Sequence, residues 1–253
     1  MMPGRKTIMV TVLVALGSWT VLVATSNEPS VTFIRSSVIG HFMIAKELTL
    51  SDEDVFATFT MKSDCHCRIA CWSHRQCHAV AVDRAEVNEG VECRLSNKSP
   101  INSTLVNNTQ ATYYYWKAPL KGLVNQVMGD TFLYYIPEEP MNFTSAKELC
   151  KKIPGFRLFM PKLIVHYTIA LQLFKKNGPI WVDLHRAENK TIKTWGDQTP
   201  YNDSQISSLS INFADGEDSA AVYRIDNEYS FNDCDFTKKF LCVCHANPLG
   251  LDW

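Results

Sequence analysis

Residues 212–244 read NFADGEDSAAVYRIDNEYSFNDCDFTKKFLCVC, and three kinds of residue cluster there. Asp215, Glu217, Asp218, Asn232 and Asp233 offer the oxygen ligands that a hard cation takes. The apolar runs 221–223 and 240–242 read as short buried strands. Cys234, Cys242 and Cys244 need partners. Cys244 lies two residues beyond Cys242, so on a strand the two share one face. The stretch is a working cation and ligand site, or only the frame of one, and the rest of the chain has to decide between them.

Working outward, the bulk numbers narrow the class. The chain has 253 residues, 46% hydrophobic and 20% charged, enough apolar surface for one or two cores. A net charge of -1 without a long basic run argues against nucleic acid and against charge-driven membrane binding. At the start, Arg5 and Lys6 precede an apolar run over 8–24 and the small residues Ala24, Thr25 and Ser26. That order reads as a secretory signal over residues 1–26, with a retained anchor as the alternative and membrane contact only in that case. Nine cysteines, five between 65 and 93 and four between 150 and 244, suit an oxidising extracellular compartment and two separately stapled units. Their odd number leaves a thiol over, or a bond to a second molecule such as a disulfide-linked homodimer. Sequons at Asn102, Asn107, Asn142, Asn189 and Asn202 fit a glycosylated surface, while Asn97 is followed by Pro100 and makes a poor acceptor.

The first unit spans 31–117. An apolar strand over 41–50 is followed by SDCHCRIACWSHRQCHAVAVD, residues 63–83, in which Ser63 and Asp64 can cap a helix carrying Cys67, Ala70 and Cys71 on one face. Strands follow over 77–82, 90–95 and 112–116, with a polar loop over 97–110. One helix on a small antiparallel sheet results. The unit resembles a PAN/apple domain through Cys67, Cys71 three residues on, Cys77 opening a strand, and Cys93 before Arg-Leu. The resemblance implies bridges Cys71–Cys77 and Cys67–Cys93 and a role in protein or glycan adhesion. The family's outer bridge has no counterpart here, and Cys65 is extra. A zinc site built from Cys65, Cys67, Cys71 and Cys77 with His66, His74 and His78 is the rival reading, disfavoured where thiols oxidise before they meet metal.

A linker is expected over 118–129 and a second unit over 130–247, with a tail at 248–253. A strand over 131–136 leads to a helix, FTSAKELCKKI (143–153), capped by Asn142 or Thr144 and ended by Pro154-Gly155. A second helix over 163–176 carries Leu163, Tyr167, Ala170, Leu171 and Phe174 on one face, with Gly178-Pro179 as its stop. The strand WVDL (181–184) and the run WGDQTP (195–200) then open a long irregular region. This order resembles the C-type lectin-like domain: Cys150 on the first helix, WVDL for the family's Trp-Ile-Gly-Leu strand, Phe231-Asn232-Asp233 near its Trp-Asn-Asp, and Cys234 and Cys242 at its spacing. The fold class is therefore α+β, a small apple-like domain followed by a lectin-like fold of two helices, antiparallel sheets and a long loop. The resemblance implies a bridge from Cys150 to Cys242; the family's second bridge, to Cys234, loses its partner because Ser219 stands there, and Cys244 is left to take either role.

In sugar-binding members of that family, calcium is held by a loop triplet such as Glu-Pro-Asn, a downstream Glu and the Asn-Asp pair. Counting back from 212–218 puts Leu209, Ser210 and Ile211 at the triplet. Glu217, Asn232 and Asp233 survive as candidate ligands, three side chains where a calcium ion takes about six to eight oxygens. Asp197, Asp203, Asp215 and Asp226 are the material for a different cation site. No cofactor is otherwise implied, and no Ser/His/Asp order, phosphate-cradling loop or HExxH points to an enzyme. Two functions stay open: a secreted recognition protein that binds glycan or protein ligands, and a disulfide-linked structural or adhesive protein without a sugar site.

Overall fold

A computed structural model describes residues 31–34, 36–84, 90–116, 123–124, 132–186, 193–212, 221–225 and 230–247. The expected signal at 1–26 and the tail at 248–253 lie outside these residues. The chain opens with β1 (Val31–Ile34), β2 (Phe42–Leu50), β3 (Ala57–Met61), α1 (Asp64–Ser73), β4 (Ala79–Arg84), β5 (Val91–Ser96) and β6 (Leu105–Trp116). The six strands form one antiparallel sheet in the order β1-β2-β6-β4-β5-β3. The helix-on-sheet expectation holds, with two additions. β1 and β3 were not expected, and β6 extends back through 105–110, which had read as loop. Ser63 precedes α1 as anticipated but makes no side-chain cap; its hydroxyl meets His66 Nδ1 at 2.8 Å instead.

Cystines Cys67–Cys93 and Cys71–Cys77 tie α1 to the sheet as the resemblance implied. They consume Cys67, Cys71 and Cys77, three of the four thiols of the zinc reading, and leave only Cys65, so that rival reading falls. His66 and His74 are exposed helix-flank residues.

Both faces of this sheet are buried, and the alternation of side chains shows how. Phe42, Val80, Val82, Tyr114 and Trp116 point to the α1 side, with Cys67, Cys71 and Cys93. Their neighbours in sequence, Met43, Ala45, Ala79, Ala81, Tyr113 and Tyr115, point the other way. There they join Leu133, Cys150, Ile153, Phe156 and Leu158 of the second unit in one continuous cluster. Small alanines on β2 and β4 leave room for the stacked rings of Tyr113 and Tyr115, 5.5 Å apart. The Tyr115 hydroxyl donates to the Pro154 carbonyl at 3.0 Å, a buried bond between units. Burial holds that hydroxyl protonated far above its ordinary range. The two units share a core rather than standing apart.

The second unit contains β7 (Leu123–Val124), β8 (Leu133–Tyr135), α2 (Phe143–Lys152), β9 (Phe156–Leu158), α3 (Ile164–Asn177), β10 (Ile180–Arg186), β11 (Lys193–Trp195), β12 (Ser210–Asn212), β13 (Ala221–Ile225), β14 (Ser230–Cys234) and β15 (Cys244–Ala246). They build two sheets, β7-β8-β15-β9 and β11-β10-β13-β14-β12. Asn142, not Thr144, caps α2, its side chain accepting from Ser145 N at 2.8 Å. α3 ends at Gly178, where φ is 85°. Two expectations are corrected. The linker over 118–129 is not wholly a linker, since 123–124 pair with β8. The strand expected at 240–242 lies later: Phe240 and Leu241 make only isolated bridges, and the ladder begins at Cys244, held between Tyr135 and Leu158.

That register bears on the cystine. The bond joins Cys150 to Cys244, not to Cys242 as the resemblance implied. The β8-β15-β9 ladder fixes Cys244 opposite α2, and Cys242 is left as a buried thiol beside it. A bridge closing 94 residues is worth on the order of 4 to 5 kcal/mol in the chain-entropy account.

The shared core predicts that the units unfold together. Tyr115→Ala should cost about 3 to 5 kcal/mol by analogy with other large-to-small core changes. Tyr115→Phe, which strands the Pro154 carbonyl, should cost about 1 to 3 kcal/mol. Urea melts followed by far-ultraviolet dichroism and by tryptophan fluorescence should shift together; separate transitions would show independent units.

Candidate functional site

The second unit has a further core cluster, separate from the one it shares with the first, built on β10, β13 and β14 with β12 packed against it. Trp195, at the end of β11, packs with Tyr201 and Phe231 (ring centroids 5.8 and 6.1 Å), and Tyr167 of α3 closes on Phe231 at 5.9 Å. On this floor the long region after 195 is tied down. The Tyr201 hydroxyl donates to Ile206 O at 2.9 Å, Ser204 Oγ to Tyr201 O at 2.6 Å, and Gln205 N to Lys162 O at 2.9 Å. Gln205 Oε1 accepts from Ile164 N at the start of α3. The loop is thus an ordered surface pinned at several points, suited to presenting side chains to a ligand without a large ordering cost.

Leu209, Ser210 and Ile211 do not form a ligand loop. Ser210 and Ile211 belong to β12, which pairs in parallel with β14 through Ser210↔Ser230, Ile211↔Phe231 and Asn212↔Asn232. Leu209 and Ile211 pack against the aromatic floor. Of the three candidate calcium ligands, Asn232 is half-buried on β14 beside Asn212, and Asp233 follows it opposite Tyr223. The Asp233 side chain and all of Glu217 lie outside the described residues. Where the resemblance puts the triplet, the apolar Leu209 and Ile211 stand at its two oxygen donors and Ser210 stands at its proline.

The alternative acidic group also dissolves. Asp197 is held by Lys162 Nζ at 2.6 Å, Arg157 at 3.5 Å and the Thr199 hydroxyl at 2.7 Å. Burial disfavours its charge, but the Lys162 and Thr199 bonds outweigh this and lower its pKa. A carboxylate neutralised by two cations is a poor ligand for a third. Asp203 is exposed, and Asp215 and Asp226 lie outside the described residues.

A second group was not anticipated. Asp183, third residue of WVDL, is buried and meets Lys147 Nζ at 2.9 Å and His185 Nε2 at 2.5 Å. Burial again opposes ionisation, and the His185 bond and the Lys147 charge reverse it, so its pKa is lowered. Gly196 makes the room: a Cβ there would lie 1.8 Å from Asp183 Oδ2. Gly196 N also donates to Asp183 O at 2.7 Å. The signal available in sequence was an acid inside an apolar strand, which demands a partner that only the tertiary structure names. His185 and Lys147 are partly exposed, so this group gives the surface a polar, charge-balanced spot.

Of the glycosylation candidates, Asn102, Asn107 and Asn202 are exposed, Asn142 is half-buried at its cap, and Asn189 lies outside the described residues. Cys65 is an exposed thiol on α1; Cys234 is half-buried on β14 and in none of the three cystines.

Residues 139–245 match the family model of the lectin C-type domain. Among solved structures, the chain is similar to a trimeric structure of the Kupffer cell C-type lectin receptor Clec4f, with 18% identity over 51% of this chain and 85% of that one and a TM-score of 0.41. It is similar also to human lithostathine (17% identity, 50% and 90% covered, TM-score 0.39). TC14, a C-type lectin from the tunicate Polyandrocarpa misakiensis, is a further case (19%, 48% and 99%, TM-score 0.38). No match was found among curated protein sequences.

The half-buried, ion-paired Asp197 predicts an acid limb to stability. Its folded pKa is lowered, so its contribution is full above the unfolded value of about 3.9 and is lost as pH falls through that value and below. Asp197→Asn strands the buried Lys162 and should cost about 3 to 5 kcal/mol at pH 7. The gap to the unsubstituted protein should narrow toward pH 2 in urea melts; a constant gap would exclude the ion pair as the source.

Proposed function

With residues 139–245 forming a C-type lectin-like domain, we propose that the protein is a secreted, glycosylated recognition protein that binds glycan or protein ligands at the β12–β14 end without a calcium-dependent sugar site. The observation that carries this reading is β12. Residues 210–212 are paired along β14 at the position where the resemblance puts the calcium-binding triplet, and Leu209 and Ile211 pack inward. Three cystines and three exposed sequon asparagines support the extracellular setting. Among the described residues no helix is long and apolar enough to cross a membrane. A helix bound by two nested cystines to an antiparallel sheet supports the apple-like reading of the first unit, which on this view acts as a base for the second and adds its own contacts. The function is binding, not catalysis, with host defence one setting that secreted lectins suggest.

One feature favours a second reading as a covalently linked adhesive protein. Cys65, Ile69 and Trp72 fall on one side of α1 at helical spacing, and all three are exposed. An isologous pairing of two such faces with Cys65 beside the two-fold axis would bring each Cys65 to its own copy. Non-reducing electrophoresis of the secreted chain separates the readings: a dimer lost in Cys65→Ser supports covalent adhesion, and a monomer removes it.

The main reading is tested on a glycan array and against candidate extracellular proteins, with calcium and with chelator. Chelator-insensitive binding is expected, or protein binding with no glycan signal. Glycan binding that chelator abolishes, and that Glu217→Ala or Asp233→Ala also abolishes, would overturn it.

A further inference from the structure

Three sulfurs meet beneath α2. Cys150 and Cys244 are bonded, and the Cys242 thiol lies 3.7 Å from Cys150 Sγ and 3.8 Å from Cys244 Sγ. All three residues are buried, and their sulfurs lie within 4.8 Å of one another. We propose that Cys242 and Cys244 are alternative partners of Cys150, so that the second unit exists as two cystine isomers that interconvert by internal thiol–disulfide exchange.

The chemistry balances without an outside reagent. Cys242 loses its proton and its sulfur bonds to Cys150 Sγ; the Cys150–Cys244 bond breaks; the electron pair and a proton pass to Cys244, which becomes the thiol. Nothing is oxidised or reduced overall. Chain entropy barely distinguishes the isomers, because their sequence separations are 94 and 92. Either bond joins α2 to the C-terminal end of the unit, so the closure survives the exchange.

Geometry makes the exchange slow. The Cys242 sulfur is almost equidistant from the two bonded sulfurs, so it sits beside the bond rather than at its end. An attacking sulfur has to line up with the bond it breaks, which requires a side chain to turn within the core. Burial also pushes the Cys242 thiol up to about 12, which keeps the reactive thiolate scarce. Uncatalysed rearrangement over hours is the timescale to expect. The isomer first formed on oxidation therefore persists, and a small thiol speeds its relaxation.

The full secreted chain is incubated for a day with and without a small amount of reduced glutathione, then acid-quenched, unfolded, alkylated and digested for mass spectrometry. Both cystine peptides, 150–244 and 150–242, are expected after equilibration, the minor one at about a tenth of the total or more, since the loops are nearly equal. A single isomer under both conditions overturns the proposal. In Cys244→Ser the proposal requires a Cys150–Cys242 cystine and no alkylation at Cys150, and alkylated Cys150 in protein with native dichroism also overturns it. If that variant misfolds, the unsubstituted chain decides alone.

Discussion

The burial of one sheet on both faces is the constraint from which the rest follows. β2, β4 and β6 send alternate side chains to α1 and to the second unit, so the same few strands serve two cores. Tyr113 and Tyr115 carry the inner face, and the Pro154 bond ties it to the end of α2. The cystine-closed part of the second unit is thereby covered, while its β12–β14 part belongs to a core cluster of its own.

Much of this order was legible, and the reasons are local. α2 announced itself through Asn142, its apolar face and Pro154-Gly155; α3 through its repeat and Gly178. The nested cystines of the first unit followed from a family resemblance resting on cysteine positions along a helix and two strands. What escaped was non-local. Four consecutive aromatic residues, 113–116, all buried, are the pattern of a strand without a solvent face, yet the units read as separate because nothing nearby in sequence names the second partner. Cys242 and Cys244 illustrate the same failure. The resemblance named Cys242 as the partner of Cys150, and it is the ladder beginning at Cys244, held by strands far off in sequence, that decides for Cys244.

At the candidate site the sequence was more informative about loss than about gain. Leu209, Ser210 and Ile211 were recognisable as poor calcium ligands, and β12 shows the apolar residues put to use as packing. The ion groups around Asp197 and Asp183 were invisible beforehand, because Lys162 and Lys147 stand 35 and 36 residues away and only folding brings them in. Asp183 and Gly196 are bound to one another by volume: no side chain fits at 196 while the carboxylate occupies that space.

The register of β6 carries a last consequence. Between Lys46↔Thr112 and Leu48↔Asn107, one residue of β2, Glu47 at φ 61°, faces four residues of β6. This excursion interrupts the β2–β6 register within an otherwise continuous β6, and of its four residues Ala111 is buried and paired with Asp83 of β4, so a change in length fits only in its exposed part before Ala111. Just beyond it, a single insertion between Thr112 and Tyr113 would turn Tyr113 and Tyr115 toward α1 and Tyr114 and Trp116 toward the second unit, exchanging two cores at once. One strand thus holds both the most forgiving and the least forgiving place for a change in length.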